Sequence, residues 1–190
     1  ITMTILICME GALAGVYAKN SAASSLESVA DDDETEESRI YNWGSCGSSL
    51  NWQISGTEGA LTLEISGNGE MFNYPRNGEN APWESYLQDV KKISLSGKLT
   101  RIGDNAFTFS DPAAEPIDVA LKLPSNLKSI GARAFSGLRM ESLVIPKSLT
   151  SLDEYAFADG HNIDSITVDS NNDWFMDESN ALMNKTKTQL

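Results

Sequence analysis

The side chains that most often perform catalysis or bind metals are too sparse in this sequence to form a site. His161 is the only histidine, so a Ser–His–Asp or Cys–His nucleophile would need a base from another chain. Zinc would need several Cys or His ligands at short spacing, and Cys8, Cys46 and His161 lie far apart. The sequence therefore predicts no catalytic residue, no metal site and no cofactor. His161 is predicted to lie in a surface turn, and Cys46 to be a small buried hydrophobe rather than a reactive thiol.

One polar segment, residues 169–173, carries oxygen-bearing side chains at alternate positions, as at the start of an EF-hand calcium loop. Trp174 stands where such a loop needs glycine for its sharp turn, and the twelfth position is Asn180 instead of glutamate. The segment is therefore interpreted as a polar turn, with calcium binding as the less favoured alternative.

Acidic residues dominate the charge of the chain, whose formal net charge is −13 at pH 7. Seven of them are concentrated in residues 27–37, a segment with almost no large apolar side chains. Such a segment cannot bury enough surface to offset the entropy of ordering, so residues 19–42 are predicted to form a disordered acidic linker. A calcium-collecting tract is the alternative. The acidity also argues against nucleic acid as a partner, because phosphates require clustered Lys and Arg.

The first residues of the chain have the pattern of a secretory signal peptide. Residues 3–18 are mostly apolar, and Val16 and Ala18 place small side chains at the third and first positions before a cleavage site that precedes Lys19. Residues 1–18 are therefore predicted to be a signal peptide. A folded N-terminal helix and a retained membrane anchor are the alternatives, although the apolar run is too short and too interrupted to span a bilayer comfortably.

Three copies of one short pattern dominate the rest of the chain, and they predict a repeat architecture. Their shared core is L-x-x-I/L-G/D-x-x-A-F, and the copies are residues 99–107, 127–135 and 149–157. A unit of this length cannot bury its apolar face alone, so the copies are expected to stack into a solenoid. Residues 108–116 lengthen the first interval. They are predicted to form a surface loop, with a binding loop as the alternative.

Each copy is expected to turn its leucine, its Ile/Leu and its Ala-Phe pair toward the interior. The phenylalanines are predicted to stack into an aromatic spine: Phe107, Phe135 and Phe157. Gly103 and Gly131 are predicted to have a positive φ. Asp153 occupies the third equivalent position and is one of the few other residue types that tolerate such a φ.

Short stretches between the copies alternate apolar with polar residues, as half-buried strands do. The predicted strands are residues 91–95, 119–123, 141–145 and 164–168. Alternation places one side chain of each strand at the centre of the outward face: Ser94, Lys122, Val144 and Thr167. These are the predicted partner-binding residues, flanked by Lys92, Ala120, Ser142 and Ser165. The stripe is nearly neutral and has no large aromatic side chain, so it is predicted to bind weakly and multivalently.

Residues 43–90 are predicted to form a β module that covers the first repeat. Residues 51–54 and 61–65 alternate in period two around a Gly-containing connection, which is the pattern of a hairpin. Residues 81–86 have a proline in their first positions and predict a short helical turn. Four aromatic side chains are expected to cluster, as a core or, less favoured, as a sugar-binding platform: Trp52, Phe72, Tyr74 and Trp83.

The sequence resembles the BspA-like leucine-rich-repeat family in three features. These are the I-G-x-x-A-F units, the strands that end in Leu123-Pro124 and Ile145-Pro146, and the module before the repeats. This resemblance implies a mainly β fold with short helical or 3-10 turns. The leucine-rich-repeat solenoid would span residues 91–172, behind an N-terminal β-hairpin cap module. Residues 173–190 resemble the family's recurring hairpin unit and are expected to be a truncated copy of it. The third repeat departs from the pattern, with Leu152-Asp153 in place of Ile-Gly.

The same resemblance implies a secreted or surface-displayed bacterial protein used in adhesion or partner binding, with no shared catalytic residues to carry over. The chain is therefore predicted to be a non-catalytic binding module that engages a protein or glycan on a host or neighbouring cell. No nucleic-acid partner and no membrane span in the mature chain are predicted. One alternative is the recognition arm of a larger surface enzyme whose catalytic domain lies beyond residue 190, and another is a structural spacer.

Overall fold

The described part of the chain begins at Ser38, shortly before the first strand. The structure is a computed structural model, and it describes residues 38–75, 80–109, 111, 114–158 and 163–185. All of them fall within one compact unit, Glu36–Leu190. The predicted signal peptide, the predicted linker up to residue 37 and His161 lie outside the described residues.

The N-terminal module is an antiparallel sheet followed by a short helix. Its strands are β1 (Arg39–Gly47), β2 (Leu50–Thr57), β3 (Ala60–Gly67) and β4 (Gly69–Glu70), and a 3-10 helix spans Glu84–Asp89. The predicted hairpin is confirmed, because β2 and β3 pair antiparallel along their whole length. Its turn uses Gly59 at a φ of 74°, which glycine adopts without steric strain. Leu61, Leu63 and Ile65 are buried at every second position, as the alternation requires.

The sheet starts earlier than the sequence pattern indicates. Residues 39–42 were expected to belong to the disordered linker, but they form the beginning of β1. Ile40 pairs with Ser55, and Asn42 pairs with Ile54, with an irregularity in register between the two pairs. The acidic composition that predicts disorder ends at Glu37, and the next six residues include Ile40, Tyr41 and Trp43, which favour strands.

The repeats add strands that run parallel to one another. They are β5 (Val90–Leu95), β6 (Leu99–Ile102), β7 (Ile117–Asp118), β8 (Ala120–Leu121), β9 (Ser129–Ile130), β10 (Leu138–Ile145), β11 (Ser151–Leu152) and β12 (Ile163–Val168). A hairpin of β13 (Phe175–Glu178) and β14 (Ala181–Asn184) follows. Each repeat brings the chain back in the same direction, so equivalent strands of successive repeats pair in parallel.

Two sheet surfaces result from this stacking. One consists of the five-stranded sheet β1-β2-β3-β5-β8 and the three-stranded sheet β12-β10-β7, which are joined in sequence because β7 and β8 are consecutive. The other is the four-stranded sheet β11-β9-β6-β4. Since β3 pairs in parallel with β5, the N-terminal module and the repeats share one continuous sheet. The mainly β, leucine-rich-repeat fold predicted from the sequence is confirmed.

The repeated apolar positions fill the space between the two surfaces. The following are at most 1% exposed: Leu99, Leu127, Leu149, Ile102, Ile130, Ala106, Ala134, Ala156, Phe107 and Phe135. The predicted aromatic spine is confirmed. Phe107 and Phe135 stack at 6.0 Å between ring centroids, and Phe135 and Phe157 stack at 5.5 Å. Burying each large apolar side chain contributes about 1.5–3 kcal/mol, so this column stabilises the repeats strongly.

Trp83 continues the column into the N-terminal module. Its ring lies 6.1 Å from that of Phe107, and its indole N–H donates to the Ala106 carbonyl oxygen at 2.9 Å. Trp52 and Tyr74 pack edge-on against it at 5.9 and 5.4 Å. These three aromatic side chains are buried and form a core over the first repeat rather than an open platform.

Phe72 does not join this cluster. Its side chain is 49% exposed, because its neighbour Met71 takes the inward position at 3% exposure. The prediction of one cluster of four aromatic rings is therefore wrong for Phe72 and right for the other three.

The two repeat glycines are required for a different reason than predicted. Neither Gly103 nor Gly131 has a positive φ, and neither does Asp153. A Cβ at Gly103 would overlap the Phe72 carbonyl oxygen, and a Cβ at Gly131 would overlap the Asp104 carboxylate of the preceding repeat. Glycine is used here because successive coils approach too closely for a side chain. The positive φ falls two residues later, at Asn105 (55°) and Arg133 (51°).

Candidate binding face

The outward surface formed by β5 and β8 of the five-stranded sheet and by β10 and β12 of the three-stranded sheet holds the four predicted partner-binding side chains. Lys122, Val144 and Thr167 are exposed, and Ser94 is half-buried. Val144 pairs directly with Thr167 on the neighbouring strand. We call this surface the strand face, and its outward side chains are set by the burial of every second residue beneath them.

A groove of about 760 Å³ crosses the strand face, and it includes part of the predicted stripe. Its lining comprises Lys92, Ile93, Ser94, Leu95, Asp118, Val119, Ala120, Leu121, Lys122, Arg139, Glu141, Ser142 and Asp164. Ser94 and Lys122 therefore lie together in one concave site with the predicted flanking residues of β5, β8 and β10. Val144 and Thr167 are outside the groove, next to its β10–β12 side.

The groove carries equal numbers of cationic and anionic side chains. The cations are Lys92, Lys122 and Arg139, and the anions are Asp118, Glu141 and Asp164. Arg139 lies 3.5 Å from Asp118, but this pair is exposed, so it contributes less than about 1 kcal/mol and leaves both groups available to a ligand. The site offers ammonium, guanidinium, carboxylate and hydroxyl groups side by side. It can bind through hydrogen bonds and paired charges, and it does not favour a polyanion.

Strict alternation misses several of these charged residues. Glu141 and Ser142 are consecutive and both exposed, as are Lys91 and Lys92 in β5. The β3–β5 pairing has a register irregularity at the same point, between Leu61 and Thr62. In β5 the extra residue at this irregularity is Lys91, so Lys91 and Lys92 are both exposed although they are consecutive. β10 pairs with β12 without an irregularity at Glu141 and Ser142.

The strand face continues beyond the repeats into the N-terminal module. Ser94 pairs with Glu64, Glu64 with Gln53, and Gln53 with Trp43. A second row, one pleat away, connects Ala120, Lys92, Thr62, Ser55 and Ile40 through successive pairs. Paired residues on adjacent strands lie on the same side of a sheet. The groove and β1 are therefore parts of one surface, and each row ends at a large apolar side chain.

Trp43 is the residue on this surface that sequence reasoning missed. Its side chain is 73% exposed, whereas Trp52 and Trp83 of the same module are 4% and 0% exposed. The four-residue stripe was expected to lack a large aromatic residue, and Trp43 lies outside it, on the part of the same surface that β1 contributes. The strand-forming residues Ile40, Tyr41 and Trp43 were the available signal, but their register with β2 could not be read from sequence.

Cys46 and Tyr74 are buried away from the strand face. Burial raises the pKa of the Cys46 thiol to about 12, and the thiol is 0% exposed, which confirms the prediction of a buried hydrophobe. Burial also raises the pKa of the Tyr74 phenol, and the nearby charge of an ionised Cys46 raises it further. A thiol that stays protonated at neutral pH is a poor nucleophile.

The polar segment after β12, residues 169–173, forms a hydrogen-bonded turn, as predicted. The Asp169 carboxylate accepts the Asn171 backbone N–H at 2.9 Å. Asn172 is 1% exposed, and its side-chain oxygen accepts the backbone N–H groups of Trp174 and Phe175 at 2.7 and 2.8 Å. These oxygens organise the entry to the β13–β14 hairpin. Across the described ranges, no three His, Cys, Asp or Glu side chains lie close enough together to hold a metal ion.

The insertion after the first repeat is tied down at its start. The Thr108 hydroxyl donates to the Arg133 carbonyl oxygen at 2.7 Å and shares a hydrogen bond with Ser136. Phe109 packs against the core from a partly buried position. In the part of the chain that the structure describes, no helix is long and apolar enough to cross a membrane.

A family model described as BspA type leucine rich repeat region matches residues 85–184 in six copies. The match covers more than half of the chain and all of the repeat strands. None of the curated proteins is similar enough to count as a match.

Three solved structures are similar to this chain at low identity. A leucine-rich repeat protein from Eubacterium ventriosum is 22% identical with a TM-score of 0.39, over 78% of this chain and 49% of that one. The pneumococcal vaccine antigen PcpA is 14% identical with a TM-score of 0.29, over 77% of this chain and 54% of that one. A leucine rich cell surface protein from Faecalibacterium prausnitzii is 14% identical with a TM-score of 0.22, over 80% and 60%. This chain spans about half the length of these proteins.

Proposed function

Because the chain belongs to the BspA-type leucine-rich repeat family, we propose that it is the non-catalytic binding module of a secreted or cell-surface bacterial protein. It engages a protein or glycan partner on a host or neighbouring cell through the strand face. The groove of about 760 Å³ that crosses this face carries the proposal. Ser94 and Lys122 contact the partner inside the groove, and Val144 and Thr167 contact it at the groove's edge.

Two physical features support binding rather than catalysis. The balanced charges of the groove suit a neutral or mixed-charge surface, since three cationic and three anionic side chains line it. The Cys46 thiol is also poorly placed for nucleophilic chemistry, because it is buried and protonated. Concave polar surfaces on stacked repeats present many side chains on a rigid support, which favours recognition.

The proposal includes export and a division of the chain. Residues 1–18 act as a signal peptide, residues 19 to about 38 act as an acidic tether, and the sheet that follows presents the strand face. Mass spectrometry of the secreted product tests this directly, with a mature chain that begins at Lys19 as the expected result. A secreted product that still contains residue 1 would contradict the signal peptide.

The binding role is tested by changing the charge of one side chain in the groove and of one at its edge. The double variant Lys122→Glu with Val144→Asp changes the charge of the strand face without touching the core. Its binding to arrays of extracellular proteins and of glycans is compared with that of the unmodified chain. We expect the binding signal to fall about tenfold or more. Lys122→Glu reverses a charge that faces the partner, and Val144→Asp places a charge where the partner meets an apolar side chain. The melting temperature should not change.

A matched control places the same change of charge on a different surface. Lys128 and Thr150 are exposed beside the other sheet, so Lys128→Glu with Thr150→Asp should leave binding intact. Binding that survives the Lys122/Val144 change and is lost on deletion of residues 111–116 would place the partner on the insertion loop. A lack of any signal from the unmodified chain would favour the structural spacer.

A further inference from the structure

The outer edge of β1 is an unusual surface for a stable sheet. β1 ends the five-stranded sheet, and within the described residues it pairs with another strand on one side only. It is nine residues long and carries a single charged residue, Arg39. Three of its side chains are large, apolar and exposed: Ile40 (64%), Tyr41 (42%) and Trp43 (73%).

Such an edge is normally protected in soluble proteins. Charged side chains, proline, short strands or bulges prevent an edge strand from pairing with another chain. β1 has register irregularities between Ile40 and Asn42 and between Ser45 and Gly47. The stretch from Asn42 to Ser45 pairs regularly with β2, so its backbone keeps the extended geometry that accepts a further strand. The Trp43 N–H donates to the Asn42 side-chain oxygen at 2.9 Å, and a carbonyl oxygen of an added strand would have to take the place of this acceptor. Trp43 is in the middle of this regular stretch.

We propose that β1 is the docking edge for an extended segment of a protein partner, which adds to the sheet as a further strand. The segment pairs with Asn42–Ser45 through its backbone and places a large apolar side chain against Trp43 and Ile40. Its flanking residues are basic. This inference rests on the proposed binding function and specifies the class of partner. A partner bound at β1 can also contact the groove, because both lie on the strand face.

The backbone of β1 favours a polypeptide over a glycan as the occupant. Adding a strand satisfies a series of N–H and C=O groups at regular spacing, which a peptide backbone does in register and a sugar chain does not. The rows that end at Trp43 and Ile40 also continue into a groove with both signs of charge. A surface with an apolar anchor and separated charges of both signs matches the composition of a protein interface.

The charge of the chain favours a foreign basic partner over a second copy. The formal net charge is −13, so two copies repel each other at low ionic strength, whereas a basic segment is attracted. Self-association is therefore an alternative that the experiment must separate.

The probe is a library of random peptides displayed on phage, selected against the chain. We expect enrichment of peptides that alternate apolar with polar residues, with a central aromatic or β-branched residue and flanking Lys or Arg. One enriched peptide is then synthesised in two forms, unmodified and with N-methyl groups on alternate backbone nitrogens. The unmodified form should bind, and the N-methylated form should not, because it cannot complete the ladder.

Hydrogen exchange identifies the edge that is used. Binding of the unmodified peptide should slow exchange of backbone amides within residues 39–47, which a ligand held only by side chains would not do. Trp43→Ala should weaken binding about tenfold or more. Trp174→Ala is the matched control, because Trp174 is 56% exposed but lies outside β1, at the start of the C-terminal hairpin.

Four results would overturn the docking edge. They are selection of acidic peptides or of none, equal binding of the N-methylated peptide, unchanged binding by Trp43→Ala, and a dimer in sedimentation that Trp43→Ala dissociates. Loss of glycan-array binding on Trp43→Ala, without peptide binding, would assign the edge to a glycan. The Lys122→Glu/Val144→Asp variant separates the two proposals, since failure of the docking edge leaves groove-dependent array binding intact.

Discussion

Removal of the ring at the centre of the Phe107–Phe135–Phe157 stack should destabilise the repeats more than removal of the Phe157 ring at the end of that stack. Phe135 is 1% exposed and stacks on Phe107 at 6.0 Å and on Phe157 at 5.5 Å. The planes of these pairs differ by 9° and 15°, so the ring is held between two nearly parallel neighbours. Phe135→Ala removes both stacks and opens a cavity where successive repeats meet.

The magnitude follows from these contacts. Truncation of a buried phenylalanine to alanine lowers the free energy of unfolding by about 3–5 kcal/mol. Phe135→Leu keeps most of the buried area and loses two ring pairs of roughly 0.5–1.5 kcal/mol each, so about 1–3 kcal/mol is expected. Phe157 is only half-buried and stacks on one described ring. Phe157→Ala should therefore lower the free energy by roughly half as much as Phe135→Ala.

Urea unfolding followed by circular dichroism measures these differences, with the slope of free energy against urea as a check that the unfolded state is unchanged. The expected order is Phe135→Ala, then Phe157→Ala, then the unmodified chain. A loss below about 1 kcal/mol for Phe135→Ala would refute the stacked column as a stabilising element. Equal losses for Phe135→Ala and Phe157→Ala would refute the reasoning from position in the column.

Three further changes test other parts of the fold. Gly103→Ala should lower the free energy of unfolding by about 2 kcal/mol or more in urea titrations, because the added Cβ overlaps the Phe72 carbonyl oxygen. Gly97 has open space around it, so the control Gly97→Ala should change the same free energy by less than about 0.5 kcal/mol. Asn172→Ala removes hydrogen bonds from two backbone N–H groups and from the Leu149 and Pro146 carbonyl oxygens, of which Pro146 keeps the Leu149 N–H as a partner. It should lower the free energy of unfolding, measured by thermal unfolding, by about 2–4 kcal/mol, while exposed Asn171→Ala should change it little. Cys46 has a pKa raised from 9.0 to about 12 in the folded chain, so the folded state retains a proton that the unfolded state releases. Below pH 9 this thiol therefore does not change the free energy of unfolding, and above pH 9 it lowers that free energy by about 1.4 kcal/mol per pH unit. The Cys46→Ala variant should lose stability less steeply at alkaline pH, as measured by urea titrations at a series of pH values.

The repeat core could be predicted from the sequence because the determinants are local. The spacing of Leu127, Ile130, Ala134 and Phe135 within one copy is the spacing at which one turn of the chain presents side chains to the same side. Repetition of that spacing means that any fold which buries one copy buries the others in the same way. The stacked phenylalanines, the hairpin of the N-terminal module and the outward position of Lys122 follow from such short-range patterns.

Contacts between distant parts of the chain determine the role of the repeat glycines, the exposure of Trp43 and the position of the groove. Only the tertiary structure shows these contacts. Gly103 is glycine because the Phe72 carbonyl, far away in sequence, occupies the space of a Cβ. Trp43 aligns with Ser94 only through three successive strand pairings, and two of them, β1–β2 and β3–β5, have register irregularities. Within a strand, the pleat sets which side a residue faces, and the sequence reveals it. The register between strands depends on bulges and on packing against other elements, so the groove and its aromatic end became visible only when the strands were placed side by side.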